Sequence, residues 1–92
     1  MATTLTIQDE NQILYFGYSS PSVIKVWFDE KRVYFEYDNG KVIGAPLVWY
    51  PLLNNASEAQ RQNFVIEMGG LGVHWPDIDE DLSAEGMLYV GK

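Results

Sequence analysis

From Val23 onward the chain alternates apolar and polar residues at the two-residue period of a β-strand. Ile24, Val26 and Phe28 share one face, and Val33, Phe35 and Tyr37 repeat the pattern after Asp29-Glu30-Lys31-Arg32. This predicts strand, four-residue loop, strand. Asp38-Asn39-Gly40-Lys41 follows, and Asn-Gly is the pair favoured in a type I′ turn, where both central residues need positive φ. Centring the first hairpin between Glu30 and Lys31 pairs Phe28 with Val33, Val26 with Phe35 and Ile24 with Tyr37. Centring the second on Asn39-Gly40 pairs Tyr37 with Val42. Both registers put one apolar set on one face, as a packed sheet requires. On the other face Lys25 opposes Glu36 and Trp27 opposes Tyr34, both favourable cross-strand pairs.

Pro46 ends the third strand. The next run, Leu47 to Leu53, is too apolar for an exposed loop, and Pro46 and Pro51 forbid a long regular element there. Pro51 suits the first position of a short helix, which needs no N–H. Trp49, Leu52, Leu53 and Ala56 are expected to cover the apolar face of the sheet. Ser57 reads as the N-cap of a helix over Glu58 to Asn63. Phe64 to Met68 and Leu71 to Trp75 read as two short strands joined at Gly69-Gly70. Pro76 then opens an acidic corner, and Ser83 to Leu88 reads as one helical turn capped by Asp81 or Ser83. Upstream, Leu5 and Ile7 alternate with polar residues as in a short strand, Ile13 to Phe16 form an apolar patch, and Ser19 to Ser22 read as a turn. The expected architecture is α+β. It consists of an antiparallel three-stranded meander and a second short strand pair, packed with one or two short helices. The whole is a single domain over 1–92, with 1–22 as an N-terminal arm and 23–90 as the core.

Composition narrows the function classes. The chain has 92 residues, is 47% hydrophobic and 14% aromatic, and carries a formal charge of −7. That is a folded globular composition. Six Lys/Arg are spread along it with only Lys31 and Arg32 adjacent; nucleic-acid and anionic-membrane binding reward clustered cations, so both are disfavoured. Basic proteins are the electrostatically easier partners. The lack of cysteine excludes disulfides and thiolate chemistry and fits a reducing cytoplasm. Met1 to Ser20 has no signal-peptide pattern, and no apolar run reaches the roughly 18 residues of a membrane span.

The candidate chemistry gathers around Gly70 to Leu82. Asp77, Asp79, Asp81, Ser83 and Glu85 occupy alternate positions, as in a calcium loop, but Leu82 stands where that loop needs glycine and Leu88 where it needs glutamate. No metal site is assigned. His74 is the one histidine, and a zinc site needs three or four ligands. It would be a general base only if an acid such as Asp79 oriented it. The preferred reading is a structural histidine bonded to a carbonyl or carboxylate. The glycines at 69, 70 and 72 lack a phosphate-loop pattern and read as a hairpin turn. No catalytic residue and no cofactor is assigned. Of the aromatic residues, Trp49 and Trp75 are expected inside, whereas Trp27 and Tyr34 form an outward patch unless residues 1–16 cover it. The candidate partner contacts are Trp27, Tyr34, Trp49, His74, Asp77, Asp79 and Glu80.

Several strings resemble a known family. These are the hairpin ending Asn39-Gly40-Lys41, Pro46-Leu47-x-Trp49-Tyr50-Pro51-x-Leu53, Asn55-Ala56-Ser57 with Arg61, and Gly72-Val73-His74-Trp75-Pro76-x-Ile78-Asp79-Glu80-Asp81-Leu82-Ser83. Together Val26 to Leu88 are similar to the bacterial domain of unknown function 2442. One departure is Leu52, where the family commonly has arginine; if that arginine neutralises the acidic corner in relatives, Arg61 is expected to do so here. The resemblance implies a compact α+β domain in a cytoplasmic bacterial or phage-type setting. It also implies a gene-pair habit with another small domain, in modules resembling toxin–antitoxin pairs where this family is the antitoxin-like member. Some relatives carry a helix-turn-helix for which this chain has no room, so direct DNA contact is not expected.

Three function classes follow. The first is a non-enzymatic interaction module, antitoxin-like, for a small basic protein. The second is a small enzyme or a metal- or ligand-binding protein using His74 with Asp79 or Glu80. The third is a self-associating module using an exposed sheet edge.

Overall fold

The computed structural model describes residues 21–90. The expected strand at Leu5 and Ile7, the patch at Ile13 to Phe16 and the first half of the Ser19 to Ser22 turn lie outside the described residues.

Two antiparallel sheets share one core. The first joins β1 (Val23–Phe28), β2 (Arg32–Tyr37) and β3 (Val42–Pro46) in sequence order. A 3-10 turn at Leu47–Trp49, α1 (Pro51–Asn54) and α2 (Glu58–Gln62) lead to the second sheet, β4 (Val65–Glu67), β5 (Gly72–Trp75) and β6 (Glu80–Ser83), and α3 (Ala84–Val90) follows. The fold is thus α+β as expected. However, the acidic corner continues into a sixth strand, so the second sheet has three strands rather than two.

The first hairpin has the expected register at Phe28–Val33, Val26–Phe35, Lys25–Glu36 and Trp27–Tyr34. Asp29 fixes its loop by accepting from the N–H groups of Lys31 and Arg32, each at 2.8 Å. Two expected pairings are corrected. A bulge between Val23 and Lys25 brings Val23, not Ile24, opposite Tyr37, so Val23 is buried and Ile24 exposed. The second hairpin turns through Asp38, Asn39 and Gly40: Gly40 donates to the Tyr37 carbonyl and Tyr37 to that of Lys41. Only Gly40 of this loop has positive φ, at 90°, so the turn is a three-residue loop with a left-handed glycine and not type I′. The extra loop residue shifts the register by one, pairing Val42 with Glu36 and Ile43 with Phe35. Ile43 and Ala45 therefore enter the core, and Val42 points out.

The linker helices end as their sequence dictates. Pro51 opens α1. Ser57 caps α2 in a capping box, its hydroxyl accepting from Gln60 N–H while the Gln60 side chain accepts from Ser57 N–H. Leu47 and Leu53 are buried, but Trp49 and Leu52 are about half exposed and do not cover the sheet as expected. Leu53 is the anchor on this short helix, and its neighbour Leu52 necessarily turns outward.

Side chains from both sheets meet at Trp75, which is fully buried. Phe28 and Phe64 set their rings at 6.3 and 6.1 Å from it, and its indole N–H donates to the Arg61 carbonyl at 3.0 Å. Buried Tyr37 donates its hydroxyl to the Ala84 carbonyl at 2.7 Å, tying β2 to α3. Val23 N–H donates to the Gly70 carbonyl, pinning the β4–β5 turn against β1. Gly70 has φ of 98°, and a Cβ there would lie 2.6 Å from Ser22 Cβ, so this approach requires glycine.

Candidate functional site

Strand alternation sorts the second sheet. Ile66, Val73, Trp75 and Leu82 face the core, while Val65, Glu67, Gly72, His74, Asp81 and Ser83 face away. His74 lies directly across from Asp81, and its Nδ1 is 2.8 Å from Asp81 Oδ1. The Asp81 carboxylate, aided by the charges of Glu67 and Asp79, raises the imidazole pKa above its ordinary value; partial desolvation opposes the rise. The partner of the histidine is thus Asp81, and neither Asp79 nor Glu80 orients it. Asp79 closes the β5–β6 turn with φ of 52°. Glu80 turns its carboxylate back onto the Asp81 N–H at 3.0 Å, and its charge adds to burial in raising the Tyr50 pKa. Asp77 accepts from the Asn63 side chain at 3.0 Å, which ties the corner to the end of α2. Ser83, one of the two expected caps, receives Gly86 N–H at the start of α3.

Arg61 does not neutralise this corner. Its guanidinium donates to the carbonyls of Leu53 and Asn54, both at 2.9 Å, and lies over the Phe28 ring. It satisfies backbone acceptors left open by the short α1. Among the described residues no Lys or Arg is within 4 Å of a carboxylate, and no three His, Asp or Glu side chains converge as metal ligands.

The outward face of the first sheet is a closed ladder. Trp27 and Tyr34 stack at 5.4 Å, Lys25 Nζ lies 5.1 Å over the indole, and the Tyr34 hydroxyl donates to Asp29. The far side of the Tyr34 ring lies on Gly44, where a Cβ would meet Cε1 at 2.6 Å. Trp27 and Tyr34 are therefore half-buried by their own neighbours. Trp49 lies apart from them on the linker, exposed beside Val48 and Leu52.

Charge is divided between the sheets in a way that the total conceals. From Val23 to Arg61 five cations and five acids cancel. From Gln62 to Val90 there are six acids (Glu67, Asp77, Asp79, Glu80, Asp81 and Glu85) and no Lys or Arg. The same region exposes Val65, Leu71 and, at 75%, Met68. Met68 also has φ of 53°, a conformation that disfavours side chains other than Gly, Asn and Asp. Sequence reasoning passed over Met68 and Leu71, although a large apolar residue beside Gly-Gly at a hairpin tip was the available signal.

A family model described as "Protein of unknown function (DUF2442)" matches residues 23–92. A crystal structure of a protein of unknown function from Rhodospirillum rubrum ATCC 11170 is similar, with 29% sequence identity and a TM-score of 0.67. The match covers 80% of this chain and 94% of that one. A comparison with curated proteins finds no match.

Proposed function

Because the chain belongs to the family of proteins of unknown function numbered 2442, whose fold carries no assigned activity, we propose its role from the surface: a non-enzymatic, cytoplasmic module that binds a small basic protein, in the manner of an antitoxin-like partner. One observation carries this reading. The whole charge imbalance of residues 23–90 lies on the second sheet, its turns and the start of α3, a region that also exposes Val65, Met68 and Leu71. Carboxylates with no Lys or Arg among them, on a surface that also exposes apolar side chains, favour a partner with the opposite sign and its own apolar contact, and they repel nucleic acid and a second copy of this chain. The His74–Asp81 pair fits this role as a cross-strand tie that orders the sheet. The gene-pair setting that the family resemblance implies supports the same class of partner.

The test is co-purification of the full chain with the product of its neighbouring gene. A complex that weakens as salt rises supports the proposal. Failure to form one at about micromolar concentration in low salt refutes it.

A further inference from the structure

We infer that the outward face of the second sheet holds a groove for a single cationic side chain, arginine or lysine, on an extended segment of a partner protein. This rests on the basic-partner reading and names its point of contact. The groove, about 250 Å³, runs over Gly72 between Glu67 on β4 and Asp81 and Ser83 on β6, with Met68 and Leu71 at its end.

Its chemistry matches a long cation at both ends. An arginine or lysine carries a hydrocarbon stem that packs on apolar surface and a head that seeks carboxylates. Met68 and Leu71 supply exposed apolar surface at one end, and Glu67 and Asp81 supply charge of one sign. No Lys or Arg of residues 62–90 competes for them, and the one neighbouring titratable base, His74, holds Asp81 through Oδ1 and leaves Glu67 without a hydrogen-bonded cation among the described residues. Gly72 is the floor, and the fold does not require a glycine there. Its φ is not in the left-handed region, and a Cβ would meet nothing nearer than the Leu82 carbonyl at 3.6 Å. Glycine inside a strand weakens it, so folding alone favours a side chain at this position. A side chain would, however, fill the groove. Met68 gives a parallel argument: it holds an exposed apolar side chain in a backbone conformation better suited to glycine.

The test uses an acetylated Val-Arg-Val peptide amide, titrated into the 15N-labelled full chain and followed by amide chemical shifts. Saturable shifts centred on Glu67 to Leu71 and Asp81 to Ser83, with Kd of about 1 mM, are expected for one charged side chain with a small apolar contact. Gly72→Val should keep or raise the melting temperature and weaken binding at least ~10-fold. Glu67→Gln, at a surface position, should weaken it by about 3-fold or more. A peptide with citrulline in place of arginine should not bind. Absence of saturable shifts, equal binding by folded Gly72→Val and Glu67→Gln, or equal binding of the citrulline peptide would each overturn the groove. A neighbouring gene product that still captured Gly72→Val at full strength would also overturn it and leave the broader reading standing.

Discussion

The Tyr37–Ala84 hydrogen bond gives a prediction in which mutation and pH must agree. Tyr37 is fully buried, and its hydroxyl donates to the Ala84 carbonyl at 2.7 Å. Tyr37→Phe removes the donor and leaves the ring packing in place. A neutral buried hydrogen bond contributes about 1 kcal/mol net. The Ala84 carbonyl opens α3 and has a second lone pair available to the helix, so the loss should stay near that value. Burial, with the neighbouring Tyr50, pushes the Tyr37 pKa up from 10.0 to about 12. The folded state therefore holds the phenolic proton more tightly than the unfolded chain does. That contribution is intact below pH 10 and is lost as pH rises from about 10 through about 12. At pH 11 the loss is about 1.4 kcal/mol, from the ratio of the two titrations. Phenylalanine has no such proton, and the other tyrosines titrate in both proteins and cancel in the difference, apart from the coupling of Tyr50 to Tyr37, which is the smaller part of the shift. Urea unfolding followed by circular dichroism should thus find the wild type more stable by about 1 kcal/mol at pH 7. The two proteins should be about equal near pH 11, with Tyr37→Phe ahead beyond it. A stability difference that stays constant from pH 8 to about pH 11.5 would refute the argument.

Other outcomes are equally direct. The His74 ring should titrate above its ordinary value of 6.5 and move back toward it in Asp81→Asn, as read by NMR. Because its folded pKa is raised, the pair stabilises the fold below about pH 6.5 and ceases to do so as pH rises through the folded pKa. The gap between wild type and His74→Gln should therefore shrink from pH 5.5 to about pH 8. Asp79→Gly should change stability by less than about 0.5 kcal/mol in thermal unfolding, since aspartate already tolerates a φ of 52° and glycine adds unfolded-chain entropy; Asp79→Val should destabilise by about 1–2 kcal/mol. Gly70→Ala should destabilise by at least ~2 kcal/mol, because its Cβ meets Ser22 Cβ at 2.6 Å and the Val23 carbonyl oxygen at 2.7 Å. A variant as stable as wild type would show that the β1–β4 junction gives way easily.

The strands of the first sheet were legible because Val26, Phe28, Val33, Phe35 and Tyr37 alternate cleanly. Register at its ends was not, for a specific reason. Val23-Ile24 and Val42-Ile43 are adjacent β-branched pairs, so either member of each can face inward, and a bulge and a one-residue change of loop decide which does. Asn39-Gly40 suits a two-residue turn, but it also suits a three-residue turn with only the glycine left-handed. β6 was hidden by composition, since Glu80 and Asp81 are weak strand formers and only pairing with β5 orders them. The same omission hid the His74–Asp81 contact, which exists only across that pair. Arg61 was expected to seek the acids, yet the carbonyls of Leu53 and Asn54 lie within reach and are better fixed.

Each meander pairs residues that are near one another along the chain, whereas the bond from Tyr37 to Ala84 spans 47 residues. Hairpins of this length zip within roughly microseconds, but neither sheet can hide its apolar side without the other. Docking of the halves is then expected to be the slow step. A polypeptide cut between α2 and β4 would yield two sticky fragments, each with the instructions for its own ribbon and no place to bury it.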